Sequence, residues 1–169
     1  CDKYPRQFSL PILVNARPEQ INEEVCQRLA QAHCTRVTMG IEHGNEKYRA
    51  EVLRRRMTNE SIVKAFKLCR DYGFKTKSHN LVGLPDETPE LHQDTVRLNA
   101  EIYPDSFNLH IFEPYPGTHL GDRCEQEGLI DPRRRDLVFV GQTDTILKMP
   151  QFTRSQILRC FRRFPYEVY

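Results

Sequence analysis

Three segments of this chain share one pattern, in which an apolar run ends in Gly or Pro with a few polar residues and a helical pattern follows. The segments span residues 36–42, 78–88 and 108–118. Strands and helices in alternation predict a parallel sheet with right-handed crossover helices. In such sheets, ligands bind beside the carboxyl ends of the strands. The polar residues that end each apolar run are therefore the first candidates for a functional site.

Strand and helix patterns alternate along the whole chain. Strands are predicted at 8–14, 37–42, 75–84 and 106–112. Helices are predicted from Pro18 or Glu19, over 46–55 as a charged and exposed helix, from the caps Thr58 and Thr88, over 118–127, and from Thr153.

These patterns predict an α/β fold with about four parallel βα units of a partial barrel and a C-terminal helix. So few strands cannot close a barrel of the eight-stranded size. An open sheet leaves the edge of the first strand unpaired, which favours association with another chain. We therefore expect either part of a larger barrel or self-association through that edge.

Composition limits the partners of the chain. The formal net charge of +2 among 169 residues gives no basis for a nucleic-acid or membrane-surface partner. No apolar run approaches the length of a spanning helix, and residues 1–7 have no signal-peptide pattern. The six cysteines show no C-x-x-C spacing, so we expect all of them except Cys1 to be core-filling thiols in a reducing cytoplasm. Because the chain begins with Cys1 rather than Met, we expect it to be part of a longer protein.

Several residues near the predicted strand ends suit a ligand, although each also has a structural interpretation. Glu42 could accept hydrogen bonds from an amine or from ribose hydroxyls, or it could be a solvated loop acid. One arginine of 54–56 could bind a carboxylate, but basic residues also favour helix C-termini. Gly83 lets a backbone approach a ligand, or simply forms a turn. His79 either faces a pocket or is a hydrogen-bonded strand residue, and Tyr115 either stacks on a ligand or belongs to a rigid turn.

Other polar motifs carry weaker signals. Residues 86–88, Asp-Glu-Thr, are interpreted as helix-capping chemistry rather than catalysis. The histidines are too dispersed for a metal site, and the sequence suggests no P-loop and no Ser-His-Asp or Cys-His arrangement. We therefore predict no catalytic residue and no metal ligand within the chain.

Four segments in this order resemble those of the radical S-adenosylmethionine enzymes. They span 40–46, 52–60, 81–88 and 114–120, and the resemblance covers roughly residues 8–125. Within this family, the chain most resembles the subgroup whose members often carry a cobalamin-binding domain, including the anaerobic magnesium-protoporphyrin cyclase-like proteins. The resemblance implies a partial (βα)6 barrel in which a C-x-x-x-C-x-x-C loop holds a [4Fe-4S] cluster. S-adenosylmethionine then binds the open iron and, after one-electron cleavage, gives a radical that abstracts a substrate hydrogen.

The resemblance also implies a set of cofactor-binding residues near the strand ends. Glu42 matches the polar residue that contacts the methionine or ribose portion of the cofactor, and Arg55 matches the basic residue that faces its carboxylate. His79 and Leu81 match positions near the ribose and adenine. The strand end that lines the adenine pocket is matched by 112–115. The predicted set is Glu42, Arg55, His79, Leu81, Gly83, Phe112, Pro114 and Tyr115.

Two departures from the family pattern limit what this chain is expected to do. It has no C-x-x-x-C-x-x-C motif, and the pattern G-x-I-x-G-x-x-E has His79 at its first glycine, Leu81 at its isoleucine and Asp86 at its acid. We therefore expect 1–130 to be the C-terminal half of the barrel, with the cluster loop upstream, and 131–169 to be an extension with a helix. Without three thiolate ligands the chain alone should be inactive and should bind S-adenosylmethionine weakly.

The parent protein is expected to be cytoplasmic and to use S-adenosylmethionine and a [4Fe-4S] cluster, with cobalamin in another domain as a further option. Its substrate is expected to be a small molecule of unknown identity. Oxidoreductase, methyltransferase and cyclase chemistry all remain open. The alternative is a non-catalytic α/β binding module derived from the same fold. A doubly wound nucleotide-binding domain is disfavoured because no Gly-rich phosphate loop follows a strand.

Overall fold

The computed structural model describes residues 3–137 and 143–169. Across these residues, one parallel sheet holds four strands in the order β1-β2-β3-β4. The prediction of a parallel α/β fold with a C-terminal helix is confirmed. The strands are β1 (Ile12–Ala16), β2 (Cys34–Glu42), β3 (Lys75–Val82) and β4 (Ser106–Ile111).

Helices connect the strands and follow the last one. They are α1 (Tyr4–Gln7), α2 (Glu23–Gln31), α3 (Glu46–Glu51), α4 (Asn59–Asp71), α5 (Pro89–Ile102), α6 (His119–Gln126) and α7 (Arg154–Val168), with a 3-10 turn at Pro18–Gln20. The caps predicted at Thr58 and Thr88 are confirmed, because each side chain accepts the backbone N–H three residues later. None of the helices in these ranges is both long and apolar enough to cross a membrane.

The helices cover one face of the sheet. Val37, Met39 and Ile41 of β2 are fully buried in the main apolar core, which also contains Phe66 of α4 and Cys26 of α2. Because successive strand residues point to opposite faces, the residues between them point away from these helices. The covered face therefore supplies the core, and the opposite face is left for other partners.

We call the opposite side of the sheet the open face. Strand register places Thr38 beside Lys77 and Gly40 beside His79, so these side chains share a face. Leu81 lies beside His110 in the same way. Members of the open face are mostly polar and only partly buried or exposed. They are Leu13, Asn15, Arg36, Thr38, Gly40, Glu42, Lys75, Lys77, His79, Leu81, Asn108 and His110.

The covered face of β3 is polar rather than apolar, unlike the buried apolar strand expected there. Ser78 and Asn80 are fully buried, and both bond to Asn99 of α5. The Ser78 hydroxyl donates to Asn99 Oδ1 at 2.7 Å, and Asn99 Nδ2 donates to Asn80 Oδ1 at 2.8 Å. These bonds satisfy the buried groups, whose desolvation would otherwise destabilise the fold.

Three predicted elements differ from the structure. The helix predicted from Pro18 or Glu19 begins only at Glu23, after a 3-10 turn at Pro18–Gln20, because the Asn22 side chain caps it there by accepting the Val25 N–H. The first strand begins at Ile12 instead of residue 8, and Phe8 and Leu10 are exposed. The reason is Pro11, which cannot donate to a strand, so the ladder opens where the Ile12 N–H donates to His33 O. The predicted helix over 46–55 ends at Glu51, and it is not an outer helix, because Tyr48 and Arg49 are buried.

The last helix completes the covered face. Helix α7 packs against α5, β3 and β4. Its residues Phe164 and Ile157 are fully buried, and Ile157 belongs to a second apolar cluster with Val82 and Ile111. The described part of 131–169 thus packs on the same sheet as the rest of the chain. The boundary at residue 130 stays a prediction.

Candidate functional site

A cavity of about 810 Å³ lies at the carboxyl ends of β1 and β2. Its lining includes Asn15, Gly40, Glu42 and Arg55. A smaller cavity of about 190 Å³ shares Asn15, Gly40 and Glu42 and extends along the open face to His79. Glu42 therefore lies where the two spaces meet, at the position where parallel sheets hold ligands.

The central contact of the site is an ion pair between Glu42 and Arg55, which we call the Glu42–Arg55 pair. Arg55 Nη1 donates to Glu42 Oε1 at 2.8 Å, and Arg55 Nη2 donates to the carbonyl of Gly40 at 3.1 Å. About a quarter of each charged side chain is exposed, 23% for Glu42 and 26% for Arg55. Both charges are thus partly desolvated yet remain reachable from the cavity.

Local backbone geometry places these two side chains together. Glu42 has φ of +67° and Arg54 has φ of +54°, in the left-handed region that costs a non-glycine residue energy. The turn at Arg54 ends the α3 segment, and the backbone N–H of Arg55 donates to Arg49 O at 3.1 Å. The Arg55 side chain then returns to the end of β2. Backbone strain concentrated beside a cavity is typical of a functional site.

Gly40 supplies the room for the pair. A Cβ atom at this position would lie 2.4 Å from Glu42 Oε1 and 3.2 Å from Arg55 Nη1. Any larger residue would therefore push the carboxylate away from its present place. The present position of the carboxylate therefore depends on Gly40, the first of the two glycines in the segment 40–46.

Burial raises the pKa of the Glu42 carboxyl, and the Arg55 charge only partly offsets that effect. A raised pKa means that the ionised form lacks part of the stabilisation it would have in water. A cationic ligand group beside the Glu42 carboxylate would supply the missing stabilisation of the ionised form. The Glu42–Arg55 pair together offers an acceptor for an ammonium group and a donor fork for a carboxylate.

His79 lies further down the open face from Glu42. Burial lowers its pKa, and the charge of Lys77 and the neighbouring His110 lower it further. The two imidazole rings have centroids 6.1 Å apart. A lowered pKa keeps His79 neutral at pH 7, so it can donate one hydrogen bond and accept another. Leu81 follows on the same face and is partly buried.

Five of the predicted site residues line neither of the two cavities, namely Leu81 on the open face and the four residues Gly83, Phe112, Pro114 and Tyr115. Gly83 has φ of +81°, and a Cβ there would lie 3.2 Å from Ile157 of α7, so its missing side chain makes room for a helix. Phe112 continues β4 by donating its N–H to Val82 O at 2.8 Å. Pro114 is buried, while 52% of Tyr115 is exposed. Their part in cofactor binding stays a prediction.

One buried polar group was missed by the sequence interpretation. We call it the Glu87 cluster, and it consists of His43, Glu87 and His92, all fully buried. Glu87 had been interpreted as capping chemistry, with Asp86 at the acidic place of the family pattern. In the structure the Asp86 side chain is 56% exposed and pairs with Arg123. The buried acid is Glu87, whose Oε2 accepts the N–H of Gly83 at 2.5 Å and of Leu84 at 3.0 Å.

A sequence signal for Glu87 exists only in hindsight. The backbone N–H groups of a tight Gly-x-Pro turn need an acceptor, and a carboxylate three or four residues later can supply it. His43 and His92 are separated by 49 residues in the sequence, and only the fold brings their imidazoles to the same carboxylate. His43 Nε2 lies 3.4 Å and His92 Nδ1 3.6 Å from Glu87 Oε1.

The resemblance to the radical S-adenosylmethionine enzymes implies two cofactors, S-adenosylmethionine and a [4Fe-4S] cluster. The Glu42–Arg55 pair fits the charged amino-acid end of S-adenosylmethionine, because its donors and acceptors complement an ammonium and a carboxylate. Among the residues that the structure describes, the cysteines do not fit a [4Fe-4S] cluster. Burial raises the pKa of Cys69 to about 12 and of Cys124 to about 11, which disfavours the thiolates that bind iron. Within residues 3–137 and 143–169, no three His, Cys, Asp or Glu side chains form a group able to hold a metal ion.

Known relatives cover most of this chain but only part of their own length. A curated relative, the anaerobic magnesium-protoporphyrin IX monomethyl ester cyclase of Rubrivivax gelatinosus, is 26% identical over 118 residues, which is 66% of this chain and 21% of that protein. The chain spans about a third or less of the length of the curated relatives it matches, at 32% and 21% for two of them.

Solved structures share the fold. Coproporphyrinogen III oxidase of Escherichia coli, a radical SAM enzyme, has a TM-score of 0.68 at 23% identity and matches 94% of this chain and 32% of its own. The methyltransferase TsrM of Kitasatospora setae, a radical S-adenosylmethionine enzyme with cobalamin and a [4Fe-4S] cluster bound, has a TM-score of 0.65 at 24% identity, over 90% of this chain and 30% of its own.

The family expected from the strand-end motifs is confirmed by direct comparison of the sequence. The model of the Radical SAM superfamily matches residues 6–98, which is more than half of the chain. Proteins of this family use S-adenosylmethionine and a [4Fe-4S] cluster, as expected, and the TsrM structure also contains cobalamin. The sequence match and the shared fold agree: the chain belongs to the Radical SAM superfamily.

Proposed function

We propose that this chain forms the part of a radical S-adenosylmethionine enzyme that binds the amino-acid end of the cofactor. The observation that carries the proposal is the Glu42–Arg55 pair, which lies over Gly40 in a cavity at the strand ends. The pair is the only ion pair among the described residues that lines this cavity.

The two side chains divide the ligand between them. The Glu42 carboxylate accepts hydrogen bonds from the ammonium group, and the Arg55 guanidinium donates to the carboxylate. In the structure each partner satisfies the other. An incoming zwitterion replaces one internal ion pair with two charge-assisted contacts, so binding need not leave either buried charge unpaired.

The open face continues the site toward the nucleoside end of the cofactor. Neutral His79 can hydrogen-bond a ribose hydroxyl, and Leu81 offers apolar contact to the adenine. Gly83, Phe112 and the Pro114–Tyr115 segment are secondary candidates for the adenine pocket, since they follow β3 and β4 on the same edge of the sheet. The bound cofactor with its cluster supplies the one-electron chemistry, and the protein holds it in place.

The activity of the complete protein extends this proposal beyond the chain. Cluster ligands come from residues outside it, so the chain alone is inactive and binds S-adenosylmethionine weakly. The parent acts in the cytoplasm on a small molecule by oxidoreductase, methyltransferase or cyclase chemistry, with cobalamin supplied by another domain. Similarity to the Rubrivivax cyclase and to TsrM supports the cobalamin-related subgroup.

A second candidate is a non-catalytic binding module of the same fold. The missing cluster motif fits this module equally well, and the described cysteines with raised pKa values are not suited to iron. Such a module keeps the Glu42–Arg55 pair for ligand binding but never cleaves S-adenosylmethionine.

The test uses the complete protein that carries this chain, reconstituted anaerobically with iron and sulfide. With reductant and S-adenosylmethionine it should release 5′-deoxyadenosine. Glu42→Gln and Arg55→Gln should lower the rate at subsaturating cofactor by roughly ten- to a hundredfold, the range expected for one lost charged hydrogen bond. Glu51→Gln is the matched control, since this exposed acid pairs only with Lys47 on α3.

The outcomes separate the two candidates. Cofactor binding with no release of 5′-deoxyadenosine by the reconstituted wild type would favour the binding module. Full activity in both site variants would contradict the proposed role of the Glu42–Arg55 pair.

A further inference from the structure

The Glu87 cluster connects the carboxyl ends of two strands from inside the protein. His43 directly follows Glu42 at the end of β2, and Glu87 holds the turn that follows β3. His92 belongs to the first turns of α5 and packs on Phe164 of α7, with ring centroids 5.8 Å apart. All three polar side chains are fully buried.

The hydrogen bonds of His43 define its protonation. Its Nδ1 accepts the backbone N–H of Asn45 at 3.0 Å, so the ring proton lies on Nε2. That proton faces Glu87 Oε1 at 3.4 Å. The carboxylate therefore has donors on both sides, two backbone N–H groups at Oε2 and an imidazole N–H near Oε1.

Contact at Oε1 is looser than at Oε2. Neither histidine lies within ordinary hydrogen-bond distance, and Oε1 has no hydrogen-bond partner within the described residues. Burial alone would raise the pKa of Glu87, but the two histidines hold it below its usual value. A buried carboxylate with few alternative hydrogen-bond partners keeps its position, because moving it would leave polar groups unpaired.

The regular strand ladder does not fix the end of β2. Register between β2 and β3 shifts after Gly40, so that Glu42 pairs with Asn80. Beyond this irregular step, the segment with His43 is held from the inside, by the Glu87 cluster and by Arg49 Nη1, which donates to His43 O. The orientation of Glu42 therefore depends on a buried neighbour as well as on the sheet.

We propose that Glu87 is a positioning residue for the cofactor site. Its Oε2 accepts the N–H groups of Gly83 and Leu84 while its Oε1 lies 3.4 Å from His43 Nε2. Through these contacts it fixes where β2 ends relative to β3 and thereby aims the Glu42 carboxylate into the cavity. Glu87 does not touch the ligand. The inference rests on the proposed function, since its effect is measured as affinity for S-adenosylmethionine.

The rival explanation is a purely structural acid. Both explanations predict a loss of stability on substitution, so thermal unfolding alone cannot separate them. Only positioning predicts weaker cofactor binding at temperatures where the variant is fully folded. Thr76→Val is the matched control, because it removes a fully buried hydroxyl of β3 that donates to Asp105 Oδ2 at 3.3 Å, at the end of the strand opposite to the site.

The experiment uses the complete reconstituted protein. Equilibrium dialysis gives the Kd for S-adenosylmethionine, and thermal unfolding gives the Tm, for the wild type and for Glu87→Gln and Thr76→Val. In the Gln variant the new amide N–H₂ faces the Nε2–H of His43, so two donors oppose each other. We expect both variants to have a lower Tm, but only Glu87→Gln to raise the Kd, by about tenfold, as small displacements of a site residue can do.

Each outcome decides one question. If the wild type does not bind, the proposed function fails first. If the wild type binds and folded Glu87→Gln binds equally well, only the positioning inference fails. If Glu87→Gln does not fold, His92→Phe replaces it, because it keeps the volume beside Phe164 and removes one imidazole. A wild-type Kd in that variant would also overturn the inference, and a severalfold increase would support it.

Discussion

Glu42 combines three features that rarely coincide in one residue. Its backbone is left-handed, its carboxylate is held by Arg55, and a Cβ atom at Gly40 would collide with it. Each feature restricts the others, because the carboxylate reaches Arg55 only over a residue without a side chain. At the scale of single residues, the close packing of Gly40 and Arg55 around the Glu42 carboxylate defines the site.

Gly40→Ala tests this restriction. The colliding atom is the end of a flexible side chain, so the fold should tolerate the change while Glu42 moves. A Gly→Ala change at an ordinary φ stabilises by about 0.4–1 kcal/mol through the unfolded state. We expect an unchanged or slightly higher Tm together with weaker binding of S-adenosylmethionine by the complete protein. Calorimetry and equilibrium dialysis measure the two quantities, and unchanged affinity would contradict the close approach.

At the residue scale, the sequence predicted some site members and not others. Glu42 lines both cavities, Arg55 lines the larger one and His79 the smaller one. These residues come from neighbouring strands and the turn that follows, where chain order implies proximity. Gly83 was predicted for its bare backbone, but nothing in the sequence shows that Ile157 of α7 fills that space. The Glu87 cluster depends on contacts far apart in the chain, which local patterns do not encode.

At the scale of secondary structure, the ends of strands and the turns that follow them supply the site residues. The predicted strands and caps agree with the structure where periodicity and cap residues coincide, as at Thr58 and Thr88. The charged composition of helix α3 predicts an exposed helix, but Arg49 of this helix is fully buried. This buried guanidinium donates to the carbonyls of His43 and Met57 and to Asn59 Oδ1. Composition cannot distinguish a solvated arginine from one that binds backbone carbonyls.

Acid should weaken the junction of β2, β3 and α5. The folded-state pKa of Glu87 is lowered, so its contribution to stability is present above the unfolded pKa, about 4.3, and is lost as pH falls through the folded value. His43 and His92 face the carboxylate. Burial, and to a smaller extent the Glu87 charge, raises the pKa of Tyr48 on α3 and of Cys160 on α7, the latter to about 11.

We therefore expect the free energy of unfolding to fall with acidification below about pH 4.3, and to fall less steeply in Glu87→Gln. Denaturant unfolding of the cofactor-free protein at a series of pH values measures both slopes. The control is Asp86→Asn, whose exposed side chain pairs with Arg123 and which should keep the wild-type slope. Equal slopes in Glu87→Gln and the wild type would contradict this account.

As a whole molecule, the chain is a sheet covered on one side. The helices, including the last helix α7, bury the covered face, while the polar side chains of the open face stay partly exposed. The sequence alone indicated a partial barrel because four βα units are too few to close one. It did not show that the buried side of β3 is polar, since Ser and Asn are read as surface residues unless their partner, Asn99, is known.

The edge at β1 should promote self-association of the 169-residue chain. Among the described strands, β1 pairs only with β2, and Leu13 is 65% exposed. An unpaired edge beside an exposed leucine is an association surface. We expect sedimentation velocity to show dimers or larger species that increase with concentration, and Leu13→Lys to shift them toward monomer. A monomer at every concentration would argue against this edge.

The most direct test of the central claim compares three ligands on the complete reconstituted protein: S-adenosylmethionine, its decarboxylated analogue and its deaminated analogue. If Arg55 binds the carboxylate, Arg55→Gln should weaken S-adenosylmethionine binding by roughly tenfold or more and leave the decarboxylated analogue almost unaffected. If Glu42 binds the ammonium group, Glu42→Gln should spare the deaminated analogue in the same way. Equal losses for all three ligands, or no loss for any, would contradict the assignment of the two charges.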